Sequence, residues 1–254
     1  MVGGQDELIF DGGSFAINNN GKLAAQLPMF KTFDGIVELE KTSKGWAFNS
    51  SDLFKDQIGY ESLYSAIVLS LRDYVYKNGF SNVIFGLSGG IDSALVASIA
   101  VDALGPDQVK CFMLPSVFTS KNSTNDAIDV AKRLNIELDT LSIKDIYNSV
   151  ENLLSFKFKF KEKDITEENI QSRIRSLLLM AISNKFGNML ISTSNKSESA
   201  VGYSTLYGDM SGGFSPLKDV WKTAVSYTHL RDHETRHELV CRHKLEKKKG
   251  GGGG

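Results

Sequence analysis

Short apolar runs separated by turn-forming residues dominate the beginning of the chain. The apolar run 8–10 is followed by Asp-Gly-Gly at 11–13, and the run 15–17 is followed by Asn-Asn-Gly at 19–21. Asp-Gly and Asn-Gly between such runs are the strongest local signal for a β-hairpin. With a further strand at 36–39, the pattern predicts a meander of about four strands, which is too small to bury both faces of its sheet alone.

The apolar spacing becomes helical at about residue 60 and then alternates between strand and helix. A leading helix is predicted from the spacing of Tyr64, Ile67, Val68, Leu71 and Val75. Strands are predicted at 82–87, 108–114, 136–142 and 189–193, and helices at 92–104, 122–134 and 166–185, the last with Thr166 as its N-cap. The alternation predicts an α/β fold in which a doubly wound parallel sheet carries helices on both faces. The charged segment 157–163 is predicted to be a solvated linker or flap.

Charge and composition narrow the class of protein only slightly. The 254 residues include 29 Lys and Arg against 30 Asp and Glu, and because a basic excess lies after residue 225, the body is mildly acidic. This balance argues against a nucleic-acid partner. No apolar stretch approaches the roughly 20 residues of a membrane-spanning helix, and the start lacks the pattern of a signal peptide. With two cysteines, Cys111 and Cys241, the expectation is a cytoplasmic protein without disulfides or a membrane partner.

The segment 86–93, Gly-Leu-Ser-Gly-Gly-Ile-Asp-Ser, lies where a predicted strand ends and a predicted helix begins. Small residues at such a turn allow backbone N–H groups to approach phosphate oxygens in front of a helix N-terminus. The spacing fits neither the Walker loop nor the dinucleotide fingerprint. Asp92 would repel a bound polyphosphate unless a divalent cation lies between them, so the sequence predicts magnesium. The alternative is a tight turn with an aspartate favoured by the helix dipole.

Ser-Gly-Gly-Ile-Asp-Ser at 88–93 resembles the pyrophosphate loop of the N-type ATP pyrophosphatases. The resemblance implies that ATP is split between its α and β phosphates, with an adenylated intermediate and release of pyrophosphate. It also implies a sheet of the adenine nucleotide alpha hydrolase type. Guanylate synthetase, asparagine synthetase and RNA-thiolating enzymes share the loop, so the loop alone leaves the substrate open.

Four further segments, 168–173, 193–198, 200–209 and 212–219, resemble NAD synthetase in its glutamine-dependent form. The resemblance extends in order from about residue 60 to residue 222. It implies an amide ligase of NAD biosynthesis that converts deamido-NAD to NAD with ATP and Mg²⁺, using ammonia or, in a full-length parent, glutamine. It also implies a homodimer or a larger homo-oligomer.

The same resemblance implies roles for individual residues. The ATP pyrophosphate loop would comprise Gly86, Leu87, Ser88, Gly89, Gly90, Ile91, Asp92 and Ser93. Asp92, a magnesium ligand, and Lys222, which reaches the ATP phosphates, would be the catalytic residues, and Thr193 would contact ATP. Asn169 and Arg173 would hold deamido-NAD, and Glu198 would bind either magnesium or the substrate. Leu206 occupies a position where ammonia-only relatives have a lysine, which removes one substrate contact.

Simpler structural roles compete with two of these assignments, but the resemblance, which keeps its motifs in register, is preferred over both. Arg173 and Arg175 could form the exposed face of a helix. Residues 193–198 could be a strand end followed by a helix N-terminus, because Ser194 and Asn195 are good N-caps and Glu198 stands where a capping box has its carboxylate.

The amino-terminal segment 2–15 resembles the last strands of the nitrilase-like glutaminase domain that precedes the synthetase in this subgroup. Residues 1–52 are therefore predicted to be a truncated, β-rich piece of an αββα nitrilase-like domain. Residues 56–223 are predicted to form the ATP-pyrophosphatase domain, itself truncated. The glutaminase catalytic residues match no position in this chain, so glutamine hydrolysis is expected of the parent only.

Residues 225–254 contain all four histidines, and 233–243 include His-Glu-x-x-His with a third histidine, as in zinc hydrolases. The segment lacks an apolar face, ends in Lys and Gly runs and resembles a translated sequencing adapter. It is predicted to be an artefactual, disordered tail.

Three alternatives to NAD synthesis stay open: another adenylating ligase or thiolase, a zinc hydrolase built on the tail, and an inactive nucleotide-binding fragment.

Overall fold

The computed structural model describes residues 1–49, 53–116 and 118–231, the last five of them by their backbone only. The chain divides into two compact units, Met1–Tyr74 and Val75–Gly254. Their boundary falls inside the first helix, α1 (Gly59–Lys77), later than the boundary at 52–56 that the sequence predicts. Within the first unit, the backbone N–H of Gly4 donates to Asp73 Oδ2 at 2.8 Å, so the beginning of the chain is bonded to this helix.

Six short strands of the first unit form three separate antiparallel hairpins. The pairs are β1 (Val2–Gln5) with β2 (Leu8–Asp11), β3 (Phe15–Ile17) with β4 (Leu23–Gln26), and β5 (Leu39–Thr42) with β6 (Gly45–Phe48). The predicted strand 36–39 instead begins at Leu39 and continues through polar residues. All four side chains of this strand are exposed. Because it has no buried face, its sequence lacks the alternation of apolar and polar residues that predicts a strand.

The second unit contains the predicted parallel sheet. Its strands are β7 (Val83–Gly86), β8 (Val109–Met113), β9 (Glu137–Thr140) and β10 (Met189–Leu190), in the order β10-β7-β8-β9. All three pairings are parallel, which confirms the predicted sheet. Its helices are α2 (Ile91–Leu104), α3 (Lys121–Leu134), α4 (Lys144–Leu154), α5 (Ile165–Phe186), α6 (Lys196–Ala200) and α7 (Lys222–Arg231).

The strand order reverses at β7. From β7 the chain proceeds to β8 and β9 on one side, and it then returns to place β10 on the other side. Because crossover connections are right-handed, the two directions put helices on opposite faces, as a doubly wound fold requires. Ligands of such sheets bind at the carboxyl ends of the strands beside this reversal. The fold therefore points to the loop that follows β7.

A continuous apolar core holds the sheet and its helices together. Val83, Ile84 and Phe85 of β7 are inaccessible to solvent, as the near-continuous apolar runs of parallel strands predict. Helix α2 is buried on nearly every side, which suits its run of Ala, Val and Ile. Tyr147 of α4 joins the core cluster that includes Ile84, although the sequence analysis places no element at 144–154.

Helix α5 begins one residue before the predicted start and uses a different cap. Asp164, not Thr166, is the N-cap: its carboxylate accepts from the Thr166 N–H at 2.8 Å. The Glu167 side chain accepts from the Asp164 N–H at 2.9 Å and completes a capping box. The prediction of Thr166 is wrong because it overlooked this reciprocal pair.

Helix α7 continues to Arg231, past residue 225, where the sequence analysis predicts a disordered tail. Val225 is fully buried. The remainder of that segment, including the His-Glu-x-x-His pattern at 233–237, lies outside the described residues. None of the helices that the structure describes is long and apolar enough to cross a lipid bilayer.

Candidate active site

The loop between β7 and α2 is closed by its own hydroxyl groups. Ser88 Oγ accepts from the Gly90 N–H at 3.1 Å and lies 3.1 Å from Ser93 Oγ. Ser93 Oγ in turn donates to the Gly90 carbonyl at 2.9 Å. The Leu87 N–H donates to the Phe112 carbonyl at 2.9 Å, which fixes the loop to the neighbouring strand. Leu87, Ser88, Gly90 and Ser93 are therefore tied to each other or to the sheet.

Gly89 occupies a position that only glycine tolerates. Its φ is +78°, in the left-handed region, and a Cβ added there would lie 2.2 Å from the carbonyl oxygen of Ser123. Ser123 belongs to the first turn of α3, so this turn packs directly on the loop. The next residue, Gly90, is the N-cap of α2 and has no side chain that could accept from the first N–H groups of the helix. The loop thus leaves the start of a 14-residue helix available to an anion.

Asp92 connects three parts of the chain at the start of α2. Its Oδ1 accepts from Asn195 Nδ2 at 3.1 Å, and its Oδ2 forms an ion pair with Lys222 Nζ. The side chain of Asp92 is 17% exposed and that of Lys222 is 42% exposed, so the pair lies at the rim of the fold. The two predicted catalytic residues are thus in contact, although 130 positions separate them in the sequence.

Asn195 and Glu198 form a capping box at the start of α6. The Glu198 N–H donates to Asn195 Oδ1 at 3.1 Å, and the Asn195 N–H donates to Glu198 Oε2 at 3.2 Å. This is the simpler structural role that was the alternative to the family assignment of these residues. The predicted contact of Glu198 with metal or substrate stays a prediction.

A cavity of about 810 Å³ opens at the carboxyl ends of β7 and β8. Five of the predicted site residues line it: Gly86, Leu87, Ser88, Asn169 and Thr193. The other eight do not: Gly89, Gly90, Ile91, Asp92, Ser93, Arg173, Glu198 and Lys222. The Asp92–Lys222 pair therefore lies at the end of the loop that leads into α2. The nucleotide-sized space lies at the other end of the loop, which follows β7.

Helix α5 lines the cavity with residues spaced at three and four positions. They are Ile165, Glu168, Asn169, Ser172, Arg175, Ser176 and Leu179. Asn169 Oδ1 accepts from Thr205 Oγ1 at 2.8 Å, which holds its amide in the cavity wall. Arg173 is exposed, lies outside the cavity wall and donates from Nε to the Leu206 carbonyl at 3.2 Å.

Arg175 lines the cavity, although it was not predicted to belong to the site. Its Nε donates to the Leu114 carbonyl at 3.1 Å, at the end of β8. Burial lowers the pKa of this guanidinium from its ordinary value. Its spacing of seven from Glu168 and three from Ser172 is the sequence signal that would have placed it on the cavity face.

The family model described as NAD synthase matches residues 63–239 of this chain. The chain belongs to the NAD synthase family. The match includes the loop, the cavity-lining face of α5 and the Asp92–Lys222 pair. It also extends beyond residue 223, where the sequence analysis ends the domain.

Relatives and solved structures agree with this membership. A glutamine-dependent NAD(+) synthetase from Rhodobacter capsulatus is 53% identical over 228 residues, which cover 90% of this chain and 41% of the relative. The structure of a glutamine-dependent NAD+ synthetase from Acinetobacter baumannii in complex with ADP has a TM-score of 0.89 and 45% identity. The match covers 95% of this chain and 46% of the Acinetobacter baumannii chain.

An NMN synthetase from Francisella tularensis is a more distant structural neighbour. Its TM-score is 0.62 at 29% identity, with 68% of this chain and 71% of that chain covered. The chain spans less than half the length of the glutamine-dependent relatives that it matches.

Proposed function

We propose that this chain is the synthetase part of an enzyme that amidates deamido-NAD to NAD at the expense of ATP. The reaction would pass through an adenylated intermediate and release AMP and pyrophosphate. One observation carries the proposal: the glycine loop and the Asp92–Lys222 ion pair meet at the start of α2, beside a nucleotide-sized cavity. Family membership and the ADP complex of a relative support it.

The loop and the helix behind it would hold the β and γ phosphates of ATP. Backbone N–H groups at a helix N-terminus point to a bound anion, and the helix dipole favours its charge, so the start of α2 suits these phosphates. Lys222 Nζ would offset the charge that develops on the departing pyrophosphate. The contact with Asp92 keeps this ammonium group at the rim of the loop before the nucleotide arrives.

Magnesium fits this site through Asp92. Mg²⁺ takes hard oxygen ligands, and nucleotide sites commonly hold it by one or two carboxylates together with the substrate phosphates. In the described residues no group of three or more His, Cys, Asp and Glu side chains could hold a metal alone. Asp92 offers one carboxylate, whose two oxygens contact Asn195 and Lys222, and Glu198 offers a second, whose Oε2 accepts a hydrogen bond within its capping box. The cation would neutralise phosphate charge when bound.

The bond changes follow from the weak electrophilicity of a carboxylate. The nicotinate oxygen of deamido-NAD would attack the α-phosphorus of ATP, and the bond to the bridging oxygen would break to release pyrophosphate. Ammonia would then attack the acyl carbon of the adenylate, and AMP would leave with the former carboxylate oxygen. The nitrogen that has been added would lose a proton to solvent to give the amide. The protein would contribute mainly positioning and charge stabilisation.

Other properties of the intact protein belong to the same proposal. Ammonia would come from solution or from glutamine hydrolysed elsewhere in a longer protein, and the residues 1–52 would be part of the domain that does so. A homodimer or larger homo-oligomer and a cytoplasmic location stay predictions.

The test is product formation by the purified chain with ATP, MgCl₂ and NH₄Cl. AMP, pyrophosphate and NAD are expected in equal amounts only when deamido-NAD is present, and Asp92→Asn is expected to abolish all three. Xanthosine monophosphate and nicotinate mononucleotide serve as competing acceptors, the latter because one structural neighbour is an NMN synthetase. AMP formation with either competitor but not with deamido-NAD would reject the assignment. If no acceptor yields AMP, equilibrium dialysis with ATP and with deamido-NAD separates a nucleotide-binding protein from one that binds neither.

A further inference from the structure

The charge of the cavity wall is unusual for a space that would hold nucleotides. Among the lining residues that the structure describes, Arg175 is the one cationic side chain, and Glu168 and Asp209 are the two carboxylates. The carboxylate of Asp209 accepts from the Thr205 N–H at 2.7 Å, so part of its charge is satisfied within the protein. A polyanionic ligand in this cavity therefore has a single side-chain cation to meet.

The guanidinium of Arg175 has one hydrogen bond and no acidic partner in the described part of the chain. Nε donates to the Leu114 carbonyl at 3.1 Å, and this contact leaves the two terminal nitrogens of the fork unused. Burial lowers the pKa of Arg175, and no carboxylate opposes this effect. A partly buried cation without a counter-ion costs free energy in the empty protein. The arrangement suggests that an anionic ligand compensates it.

The position of Arg175 relates it to the phosphate loop. A Cβ added at Gly86 would lie 3.7 Å from Leu114 Cδ1 and 3.7 Å from Leu179 Cδ1. Leu114 is the residue whose carbonyl Arg175 contacts, and Leu179 lies four positions after Arg175 on the same helix face. Arg175 and the first loop residue, Gly86, therefore share Leu114 as a neighbour and line the same cavity. Lys222 contacts Asp92 at the start of α2 and does not line the cavity.

We infer that Arg175 binds phosphate oxygens of a nucleotide in the cavity through the two terminal nitrogens of its guanidinium. The planar fork of arginine matches the oxygen spacing of a phosphate group and forms paired, charge-assisted hydrogen bonds. The inference rests on the proposed function for the kind of ligand, because both ATP and deamido-NAD carry phosphates. It adds a second cation to the site, separate from Lys222.

The test compares nucleotides with the nucleosides that lack the phosphate. Isothermal calorimetry would measure AMP against adenosine, and nicotinate mononucleotide against nicotinate riboside. Arg175→Gln removes the charge, Arg175→Lys keeps the charge without the fork, and Lys185→Gln removes a charge from the exposed end of the same helix. For Arg175→Gln we expect a loss of about ten- to hundredfold for the nucleotide alone. Arg175→Lys should recover part of it, and Lys185→Gln should bind as the unmodified chain does.

The two pairs identify the source of the phosphate. A loss confined to AMP assigns Arg175 to ATP, and a loss confined to nicotinate mononucleotide assigns it to the dinucleotide substrate. Equal losses for nucleoside and nucleotide would show that Arg175 only shapes the wall through Leu114 and would overturn the inference. So would unchanged affinities, or an unmodified chain that binds nucleotides no better than nucleosides. Because these measurements need no turnover, they are readable even if deamido-NAD fails to yield AMP, which is the result that rejects the proposed function.

Discussion

The side-chain amide of Asn195 donates to Oδ1 of Asp92 across 3.1 Å and links two residues that lie 103 positions apart. Asn195 is fully buried, and its Oδ1 simultaneously accepts from the Glu198 N–H. One side chain therefore caps α6 and orients the carboxylate at the start of α2. Because Lys222 holds the other oxygen, Asp92 is fixed from two sides.

Replacing Asn195 separates its two roles. Asn195→Ser keeps an N-cap acceptor but is too short to reach Asp92, and Asn195→Ala removes both contacts. We expect both variants to lower the kcat for AMP formation by about tenfold, since a hydrogen bond to a charged group is lost. The alanine variant should lose about 1 kcal/mol more stability because the cap is lost as well.

Urea unfolding and initial rates of AMP release measure the two effects. A serine variant with the kcat of the unmodified chain would show that Asp92 needs no support from Asn195. Equal stabilities of the two variants would contradict the role of Asn195 as the cap.

Lys222→Gln tests the ion pair at the loop. Loss of a preorganised cation at the leaving group should lower kcat by about 10²–10³, with a smaller change in the KM for deamido-NAD. Lys218→Gln removes a charge from a nearby exposed position and is the matched control. Steady-state pyrophosphate release gives both constants. A higher KM with an unchanged kcat would mean that Lys222 binds the substrate without acting on the leaving group.

The loop could be predicted from the sequence because it is local. Three glycines, two serines and Asp92 follow directly after an apolar strand, and strand, turn and helix need only neighbouring residues. The same is true of the Asn195–Glu198 capping box, which spans four residues. These features appear in the structure where the pattern places them.

Contacts across the sheet could not be predicted in this way. Asp92 meets Asn195 and Lys222 because β10 pairs with β7, and strand order does not follow from periodicity. The residues of α5 that face the cavity have a helical spacing, but only the fold shows that this face includes Arg175 and excludes Arg173. The cap of the same helix, by contrast, could have been predicted from the sequence, since Asp164 and Glu167 are three positions apart, as a capping box requires.

Gly89→Ala tests the close approach of α3 to the loop. The added Cβ meets the Ser123 carbonyl oxygen, and φ is +78°. Gly187→Ala is the control, because Gly187 also has a positive φ, +67°, but a Cβ there meets nothing within 4 Å. We expect the control to lose about 1–2 kcal/mol from backbone strain alone. Gly89→Ala should lose more and should also weaken ATP binding.

Urea titration and calorimetry with ATP distinguish the two glycine variants. If Gly89→Ala were no less stable than Gly187→Ala, the contact with Ser123 would carry no cost, and the packing of α3 on the loop would be looser than the structure shows.

Asp164 provides a pH-dependent prediction at the start of α5. Hydrogen bonds from the hydroxyl and the backbone N–H of Thr166 lower the pKa of this carboxyl below its ordinary value of 3.8. A carboxyl with a lowered folded-state pKa stabilises the protein above the unfolded value and loses that contribution as pH falls through the folded value. Asp164→Asn keeps a good N-cap acceptor but does not titrate. The stability advantage of the unmodified chain over this variant should therefore be constant from pH 7 to about pH 5 and shrink below pH 3.8. Thermal midpoints of both proteins across this range measure it, and an advantage that stays constant to pH 3 or grows on acidification would contradict the assignment of the cap to the ionised carboxylate.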